Sequence, residues 1–125
     1  MSEQSVRQLD PARDSAIERL LRLGYSRNDA AVLADHFVDA DARGKRTHGV
    51  VRIDWLASLP DFSPDARPRR TVATPSFERW EGEGVVGYLT MAAICEAVLA
   101  DPPERSRLIV AADTAPVGVL GYWVR

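Results

Sequence analysis

The sequence predicts an α/β protein in an α+β arrangement, with about three helices followed by short strands, one more helix and a buried strand. Residues 10–59 carry apolar side chains at three- and four-residue spacings between capping residues, which is typical of amphipathic helices. Residues 60–125 carry short apolar runs between proline and glycine breaks, which is typical of strands. We therefore expect a helical segment over residues 10–59, then a loop and the start of an α/β layer over residues 60–125 as one compact unit. Residues 1–9 are polar and are expected to be a disordered N-terminus.

The first two helices have clear start and stop residues. Asp10 can accept hydrogen bonds from the unpaired N–H groups of a first helix, and Gly24 can end that helix in a left-handed conformation. Ser26 can cap a second helix in the same way. That helix should run to about Arg43, with Gly44 as its terminator.

A third helix is predicted from about His48 to Leu59. Thr47 is placed to cap it, and apolar side chains recur on one of its faces. Prolines then end helical structure and make residues 60–69 an extended loop: Pro60, Pro64 and Pro68.

The second half should contain two strands, a helix and a third strand, over residues 70–74, 77–80, 88–100 and 107–112. The third strand is apolar from Leu108 to Ala112, so we expect it to be buried on both faces. A buried strand needs neighbours on its edges, and no further strand is predicted after it. The sheet is therefore expected to be unfinished, with an exposed apolar edge here that favours association.

Composition excludes several classes of function. Lys and Arg number 16 against 18 Asp and Glu, well mixed along the chain, so a nucleic-acid partner is not expected. No apolar stretch approaches the roughly 20 residues that a membrane helix needs, and residues 1–9 lack the apolar run of a signal peptide. Cys95 is the only cysteine, which excludes an intramolecular disulfide and fits a reducing cytoplasm. We predict a soluble, cytoplasmic protein with no membrane partner and no metal site.

The residues best suited to chemistry are Thr47, His48, Gly49 and Arg52. On one helix, His48 and Arg52 would share a face because they are four residues apart. Arginine grips a carboxylate through two parallel hydrogen bonds, and histidine transfers a proton near neutral pH. The pair therefore matches a 2-hydroxy or 2-keto acid, with Arg52 on the carboxylate and His48 protonating the neighbouring oxygen. Gly49 would let such a ligand approach the backbone closely.

Other features favour ordinary structure, and a His–Arg pair at helical spacing more often lies on a solvated surface than in a functional site. His36 lies inside the second helix beside acidic residues, so solvent exposure or a helix ion pair explains it. The run Gly82–Gly87 has the spacing of the dinucleotide glycine pattern but lacks its long βαβ context, so we interpret it as a strand-to-helix turn. Cys95 is expected to be a small buried residue rather than a nucleophile.

One long block resembles a known family. Residues 34–52 are similar to the ADHLV-x-AD-x-RG-x-x-SHG-x-x-R block of the type 2 malate/L-lactate dehydrogenases. Residues 80–87 are similar to the family's glycine turn before a helix, and residues 118–123 to its G-x-x-GYY segment. The likeness extends over about residues 16–123. The family includes ureidoglycolate dehydrogenase, diketogulonate reductase and piperideine-2-carboxylate reductase.

The resemblance implies an oxidoreductase that transfers hydride between NADH or NADPH and a 2-keto, 2-hydroxy or imino acid. In the family the histidine of the long block is a proposed proton donor, and the arginine four residues later contacts the substrate. These positions are His48 and Arg52 here. The resemblance further implies a fold that is not a Rossmann domain and an assembly that is typically a homodimer. We therefore expect a homo-oligomer or a partner chain, and we assign no cofactor-binding residue.

The sequence also departs from the family. Thr47 replaces a serine, and Glu81 replaces the aspartate of the glycine turn. Pro116 stands where the family has a second histidine assigned to proton transfer, and proline cannot transfer a proton. Family members run to well over twice this length, with the rest of the cofactor site and a catalytic aspartate downstream.

Three hypotheses therefore stay open. The first is a truncated or split oxidoreductase that acts with a partner chain. The second is a non-catalytic relic or module that binds a small carboxylate or a subunit. The third is a standalone enzyme with a rearranged site.

Overall fold

A computed structural model of the chain describes residues 10–125, so the prediction of a disordered segment over residues 1–9 lies outside the described residues. The chain divides into two compact units, one ending at Leu59 and the other running from Pro60 to Arg125. Over residues 10–59, the first unit contains three α-helices and a short 3-10 helix: α1 (Pro11–Arg22), α2 (Arg27–Ala42), the 3-10 helix Arg46–His48, and α3 (Arg52–Ala57). The second unit contains a three-stranded sheet, one α-helix and a terminal 3-10 helix: β1 (Arg69–Ala73), β2 (Phe77–Glu81), α4 (Gly87–Ala100), β3 (Leu108–Ala112) and Leu120–Tyr122.

The predicted ends of α1 and α2 are confirmed. Asp10 accepts a hydrogen bond from the Ala12 N–H at 3.0 Å, and the Ser26 hydroxyl accepts one from the Asp29 N–H at 3.2 Å. Gly24 and Gly44 follow the two helices with φ of 104° and 76°, the left-handed conformation that ends a helix at low cost only in glycine.

The core of the first unit lies where α1 packs against α2. Leu20 of α1 and Leu33 and Phe37 of α2 are fully buried. At the edge of this contact, Arg13 Nε donates to Asp35 Oδ1 at 2.6 Å between half-buried side chains. The apolar spacing that predicted the two helices is therefore the spacing that buries them against each other.

The expectation of solvent exposure for His36 was wrong, because its relative exposure is 0%. His36 lies three residues after Leu33 and four before Ala40, both of which are buried on the same helix. These spacings place all three residues on one helix face. The imidazole ring meets the Phe37 ring edge-on, with the ring centroids 6.3 Å apart. His36 therefore belongs to the buried face of α2.

The three strands form one mixed sheet in the order β1–β2–β3. β1 runs antiparallel to β2, with an irregular register between Arg70 and Val72, and β3 runs parallel to β2. The chain from β2 through α4 to β3 is a parallel β–α–β connection, so the predicted α/β arrangement is confirmed.

The prediction that β3 is buried on both faces was wrong. Leu108 is 64% exposed and Val110 is 37% exposed. Within residues 10–125, β3 pairs with β2 on one side and with no strand on the other. Apolar composition alone therefore misplaced this strand, whereas the expected exposed apolar edge is present.

One carboxylate of the sheet is buried and accepts hydrogen bonds from three side chains. Glu78 of β2 is 2% exposed. Its Oε1 accepts from Arg70 at 3.2 Å and from Arg107 at 3.4 Å, and its Oε2 accepts from the Trp80 indole at 2.9 Å. Each oxygen of the buried charge thus has a donor, which a buried carboxylate requires.

Candidate functional site

The segment between α2 and α3 carries the predicted site residues, and Asp41 shapes its backbone. Asp41 Oδ2 accepts a hydrogen bond from the Val50 N–H at 3.0 Å. A Cβ built on Gly49 would overlap the Asp41 carboxylate, so glycine is the residue that fits beside it. Gly49 is buried and its backbone is extended, with φ of −89° and ψ of −151°.

This geometry corrects the predicted third helix. The helix begins at Arg52, and residues 46–48 form a separate 3-10 helix. The extended backbone of Gly49 separates the 3-10 helix from α3. Gly49 is held in this conformation because the Asp41 carboxylate accepts a hydrogen bond from the Val50 N–H. His48 and Arg52 are therefore not one turn apart on a single helix. Thr47 does not cap α3 either, since no side chain of residues 10–125 makes a capping hydrogen bond to that helix.

Thr47 nevertheless contacts both predicted site residues. Its Oγ1 lies 3.1 Å from His48 Nδ1, and its carbonyl oxygen accepts from Arg52 Nε at 2.7 Å. The hydroxyl therefore fixes one nitrogen of the imidazole, and the carbonyl fixes one nitrogen of the guanidinium. His48 and Arg52 are half-buried, and Thr47 is exposed.

Arg52 is held on a second side by an aromatic ring. Its Cζ lies 4.5 Å from the centroid of the Trp55 ring, a cation–π contact between residues one helical turn apart. Nothing else in the part of the chain that the structure describes makes a hydrogen bond or ion pair with the Arg52 guanidinium, so its two terminal nitrogens are unoccupied. The same holds for His48 Nε2. The segment thus presents a guanidinium that is held on two sides and an imidazole nitrogen.

Sequence reasoning missed Asp41 and the role of Trp55. Trp55 is 39% exposed, and its ring supports the Arg52 guanidinium. Its spacing of three residues from Arg52 on a helix was the signal that could have indicated the contact. Asp41 lies eight residues before Gly49 with no local pattern that links the two, so only the folded structure brings them together.

The glycine run in the second unit forms the strand-to-helix turn that the sequence predicts. It joins β2 to α4, and Gly84 within it has φ of 85°. A Cβ on Gly82 would lie 2.6 Å from the Asp113 carbonyl oxygen, and a Cβ on Gly87 would clash with the Pro116 carbonyl oxygen. Both glycines therefore admit the chain's own backbone at residues 113–117.

No group of three His, Cys, Asp or Glu side chains within residues 10–125 is placed to hold a metal ion. Over the same range, no helix is both long and apolar enough to cross a membrane.

A model of the malate/L-lactate dehydrogenase family matches residues 8–125 of the chain. The chain belongs to this family. The sequence resemblance is therefore confirmed, and the family is one of oxidoreductases. A search of curated proteins gives no significant match.

Solved structures of dehydrogenases share the fold. Malate dehydrogenase from Pyrococcus horikoshii superposes with a TM-score of 0.81 at 22% identity, covering 90% of this chain and 33% of that one. Sulfolactate dehydrogenase from Methanocaldococcus jannaschii gives 0.79 at 22% identity, with 90% and 34% covered. Malate dehydrogenase from Entamoeba histolytica gives 0.78 at 20% identity, with 90% and 32% covered. The chain thus spans about a third of the length of each of these enzymes.

Proposed function

We propose that this chain forms the substrate-carboxylate and proton-donor part of a nicotinamide-dependent 2-hydroxy/2-keto acid oxidoreductase. Polypeptide corresponding to the other two thirds of the family fold would complete the enzyme. The observation that carries the proposal is the Arg52 guanidinium, which is fixed by the Thr47 carbonyl and the Trp55 ring, while neither terminal nitrogen has a hydrogen-bond or ion-pair partner among residues 10–125.

Arg52 is the proposed carboxylate ligand. A planar guanidinium binds a carboxylate best through two parallel N–H donors, and a fork that is already oriented loses less freedom on binding. The Nε of Arg52 is used within the protein, at 2.7 Å from the Thr47 oxygen. The two terminal nitrogens therefore supply the edge that would face a 2-keto acid, with Trp55 behind the plane.

His48 is the proposed proton donor. As an imidazolium, His48 would donate from Nδ1 to the Thr47 hydroxyl and carry its second proton on Nε2, for which residues 10–125 provide no hydrogen-bond partner. Reduction of a 2-keto acid needs one hydride at the carbonyl carbon and one proton at its oxygen. The proton would come from His48 Nε2, and the product would be a 2-hydroxy acid. A substrate contact at Thr47 belongs to the same proposal, whereas the Asp41 carboxylate takes the space beside Gly49 that was predicted for a ligand.

The nicotinamide cofactor, as NADH or NADPH, would supply the hydride, and it enters this proposal through the family. The glycine turn of this chain does not fit a dinucleotide pyrophosphate. Gly82 and Gly87 leave room for the backbone of residues 113–117, not for a phosphate. We therefore assign the cofactor to the polypeptide that completes the fold. A cytoplasmic location and a homo-oligomer or partner chain stay predictions.

A second candidate function is a non-catalytic module that binds a small carboxylate or a subunit. Pro116 favours it, because this residue replaces the second family histidine and offers no proton. This candidate keeps the role of Arg52 and removes that of His48. The two functions therefore agree on carboxylate binding and differ in turnover.

The experiment that tests the proposal is a fluorescence titration of the purified chain with NADH and with NADPH, in the presence and absence of pyruvate. Pyruvate binding without nucleotide binding supports a chain that needs the rest of the fold. Nucleotide oxidation that His48→Ala abolishes, with nucleotide binding intact, supports a working oxidoreductase. Binding of neither pyruvate nor nucleotide contradicts the proposal.

A further inference from the structure

A cavity of about 620 Å³ lies at one end of the sheet, between the turn that joins β1 to β2 and the loop that joins α4 to β3. Residues 73–76 line it from the turn, and residues 101–107 line it from the loop. The Leu108 N–H donates to the Ser76 oxygen at 2.9 Å, so a backbone hydrogen bond holds the two segments together. The volume is within the range of roughly 300–1,000 Å³ that is typical of small-molecule sites.

Arg107 lines this cavity with a buried charge that the chain satisfies only in part. Its side chain is 7% exposed. Its Nε donates to the Pro75 oxygen at 3.4 Å, and its Nη1 donates to the Asp101 carbonyl at 3.1 Å and to Glu78 Oε1 at 3.4 Å. Its Nη2 is accessible to solvent and makes no hydrogen bond within residues 10–125. The ion-pair partner of Nη2 in that range is the Asp101 carboxylate, which lies 3.6 Å away and is 84% exposed.

The inner wall of the cavity holds more positive than negative charge. Arg70 Nη1 donates to Glu78 Oε1 at 3.2 Å, so Arg70 and Arg107 share one buried carboxylate. Two positive charges against one negative charge leave a net charge of +1. The Nε and Nη2 of Arg70 make no hydrogen bond within the described residues. The other two carboxylates of the lining, Asp101 and Glu104, are exposed, so solvent screens their charge.

The lining also offers further hydrogen-bond donors and an apolar surface. The hydroxyl groups of Ser76 and Ser106 make no hydrogen bond within residues 10–125. Arg105 is exposed and makes no ion pair in the same part of the chain. Four apolar side chains complete the set: Ala73, Pro75, Pro102 and Pro103. The cavity therefore combines donors from two segments of the chain with room for an apolar group.

We propose that this cavity binds a small phosphate monoester with an apolar body. A phosphate dianion has three acceptor oxygens that point in different directions, so it suits separate donors such as Arg70 Nη2, Arg107 Nη2 and the serine hydroxyls. A carboxylate is planar, and one arginine edge is enough to bind its two oxygens. The phosphate takes the place of the Asp101 carboxylate at Arg107 Nη2, and the apolar body lies against the proline side chains.

A metal ion fits this cavity less well than an anion. Both oxygens of Glu78 already accept hydrogen bonds from arginine or tryptophan side chains. No group of three His, Cys, Asp or Glu side chains within residues 10–125 is placed to hold a metal ion. The phosphate site is independent of the roles proposed for His48 and Arg52, because those residues lie in the other compact unit.

The test is a calorimetric titration of the purified chain with phenyl phosphate at about pH 7.5, where the monoester is mostly a dianion. Benzoate is the comparison probe, because it carries the same ring on a planar group with one charge. We expect saturable one-to-one binding of phenyl phosphate and an affinity for benzoate that is at least about tenfold lower. The proposal is overturned if phenyl phosphate shows no saturable binding, or if benzoate binds equally well.

A matched pair of arginine substitutions locates the site. Arg70→Gln should weaken phenyl phosphate binding at least about tenfold, because it removes a charged donor while Glu78 keeps its ion pair with Arg107. Arg79→Gln is the control, since the Arg79 side chain is 46% exposed against 42% for Arg70 and does not line the cavity. The control should bind as the wild type does. An equal loss in both variants would attribute binding to general surface charge and overturn the proposal.

Asp101→Asn tests the replacement of the carboxylate at Arg107. It should strengthen phenyl phosphate binding at least about threefold, because a neutral amide competes less for Nη2 and does not repel the dianion. The fold should tolerate this change, since the Asp101 side chain is 84% exposed. Glu83→Gln removes another exposed charge outside the cavity and should leave the affinity unchanged. An affinity that stays constant or falls in Asp101→Asn would contradict the proposed position of the phosphate.

Discussion

The Asp41 carboxylate fills the space beside Gly49 that a side chain would need. Its Oδ2 accepts the Val50 N–H at 3.0 Å, and its Oδ1 lies where a Cβ on Gly49 would stand. One carboxylate at the end of α2 thereby sets the backbone between His48 and Arg52. The two residues reach their positions through this tertiary contact and not through a shared helix.

We expect Gly49→Ala to destabilise the protein by about 2 kcal/mol, because the added methyl group forces the Asp41 carboxylate or the backbone to move. The free energy of unfolding in urea measures this loss. Gly121→Ala is the control, since its Cβ would meet only Arg125 Nη1, at 3.9 Å. It should change the unfolding free energy by less than about 0.5 kcal/mol.

The double variant tests the contact itself. In Asp41→Ala the Val50 N–H loses its acceptor, but a methyl group at residue 49 gains room. We therefore expect Asp41→Ala and Gly49→Ala together to destabilise by at least about 0.5 kcal/mol less than the sum of the two single losses. Strict additivity would show that the two residues do not interact.

Glu78→Gln should destabilise the sheet unit by about 3 kcal/mol, measured by urea unfolding. The buried Glu78 carboxylate neutralises Arg107, whose side chain is 7% exposed, and the amide leaves that charge with the exposed Asp101 carboxylate at 3.6 Å as its ion-pair partner among the described residues. Glu83→Gln is the matched control, because its ion pair with Arg69 joins two exposed side chains. The control should cost less than about 1 kcal/mol, and equal losses would refute the argument from burial.

Much of the fold could be predicted because its causes are local. Asp10 and Ser26 accept hydrogen bonds from residues within three positions, and the glycines after α1 and α2 act within one turn. The break before α3 could not be predicted in this way. It depends on Asp41, which reaches the site only when α2 and the following segment have folded. The exposure of β3 likewise depends on which strands surround it, and an apolar run does not encode that.

The candidate site, like the fold, could be predicted from the sequence only in part. His48, Thr47 and Arg52 were identified because the chemistry of their side chains is visible in the sequence. The hydrogen bonds that link Thr47 to each of the other two follow from the 3-10 helix and could not be predicted. The sequence pattern therefore identified the site residues, and the tertiary structure determines how they are held.

Stability should fall at high pH through Tyr25. Burial, with Asp29 nearby, raises the pKa of Tyr25 to about 12. In the unfolded chain the Tyr25 phenol ionises near pH 10. Between about pH 10 and 12 the native state therefore retains a proton that the unfolded state has released. The stability that the neutral phenol contributes is therefore complete below about pH 10 and is lost as the pH rises to about 12. We expect a loss of about 2 kcal/mol across this window, measured by urea unfolding at each pH.

Tyr25→Phe should flatten this dependence between pH 10 and 12. Tyr122→Phe is the control and should retain the full slope, because Tyr122 is only half-buried. An unchanged slope in Tyr25→Phe would assign the pH dependence to other groups.

The measurement that tests the central claim most directly is a pyruvate titration followed by NMR of the tryptophan indole N–H signals. The Arg52 guanidinium stacks on Trp55, so carboxylate binding should move the Trp55 signal. The Trp80 and Trp123 indoles donate to Glu78 and to the Val117 oxygen, and their signals serve as internal references. We expect saturation with a dissociation constant on the order of 1–10 mM.

Arg52→Lys keeps the charge but loses the planar fork, so its pyruvate affinity should fall at least about tenfold. Arg43→Lys changes an arginine that pairs with Asp39 at the end of α2, and it should bind pyruvate as the wild type does. That pattern would establish Arg52 as the carboxylate ligand. A Trp55 signal that pyruvate leaves in place, or equal affinities for Arg52→Lys and the wild type, would contradict the account.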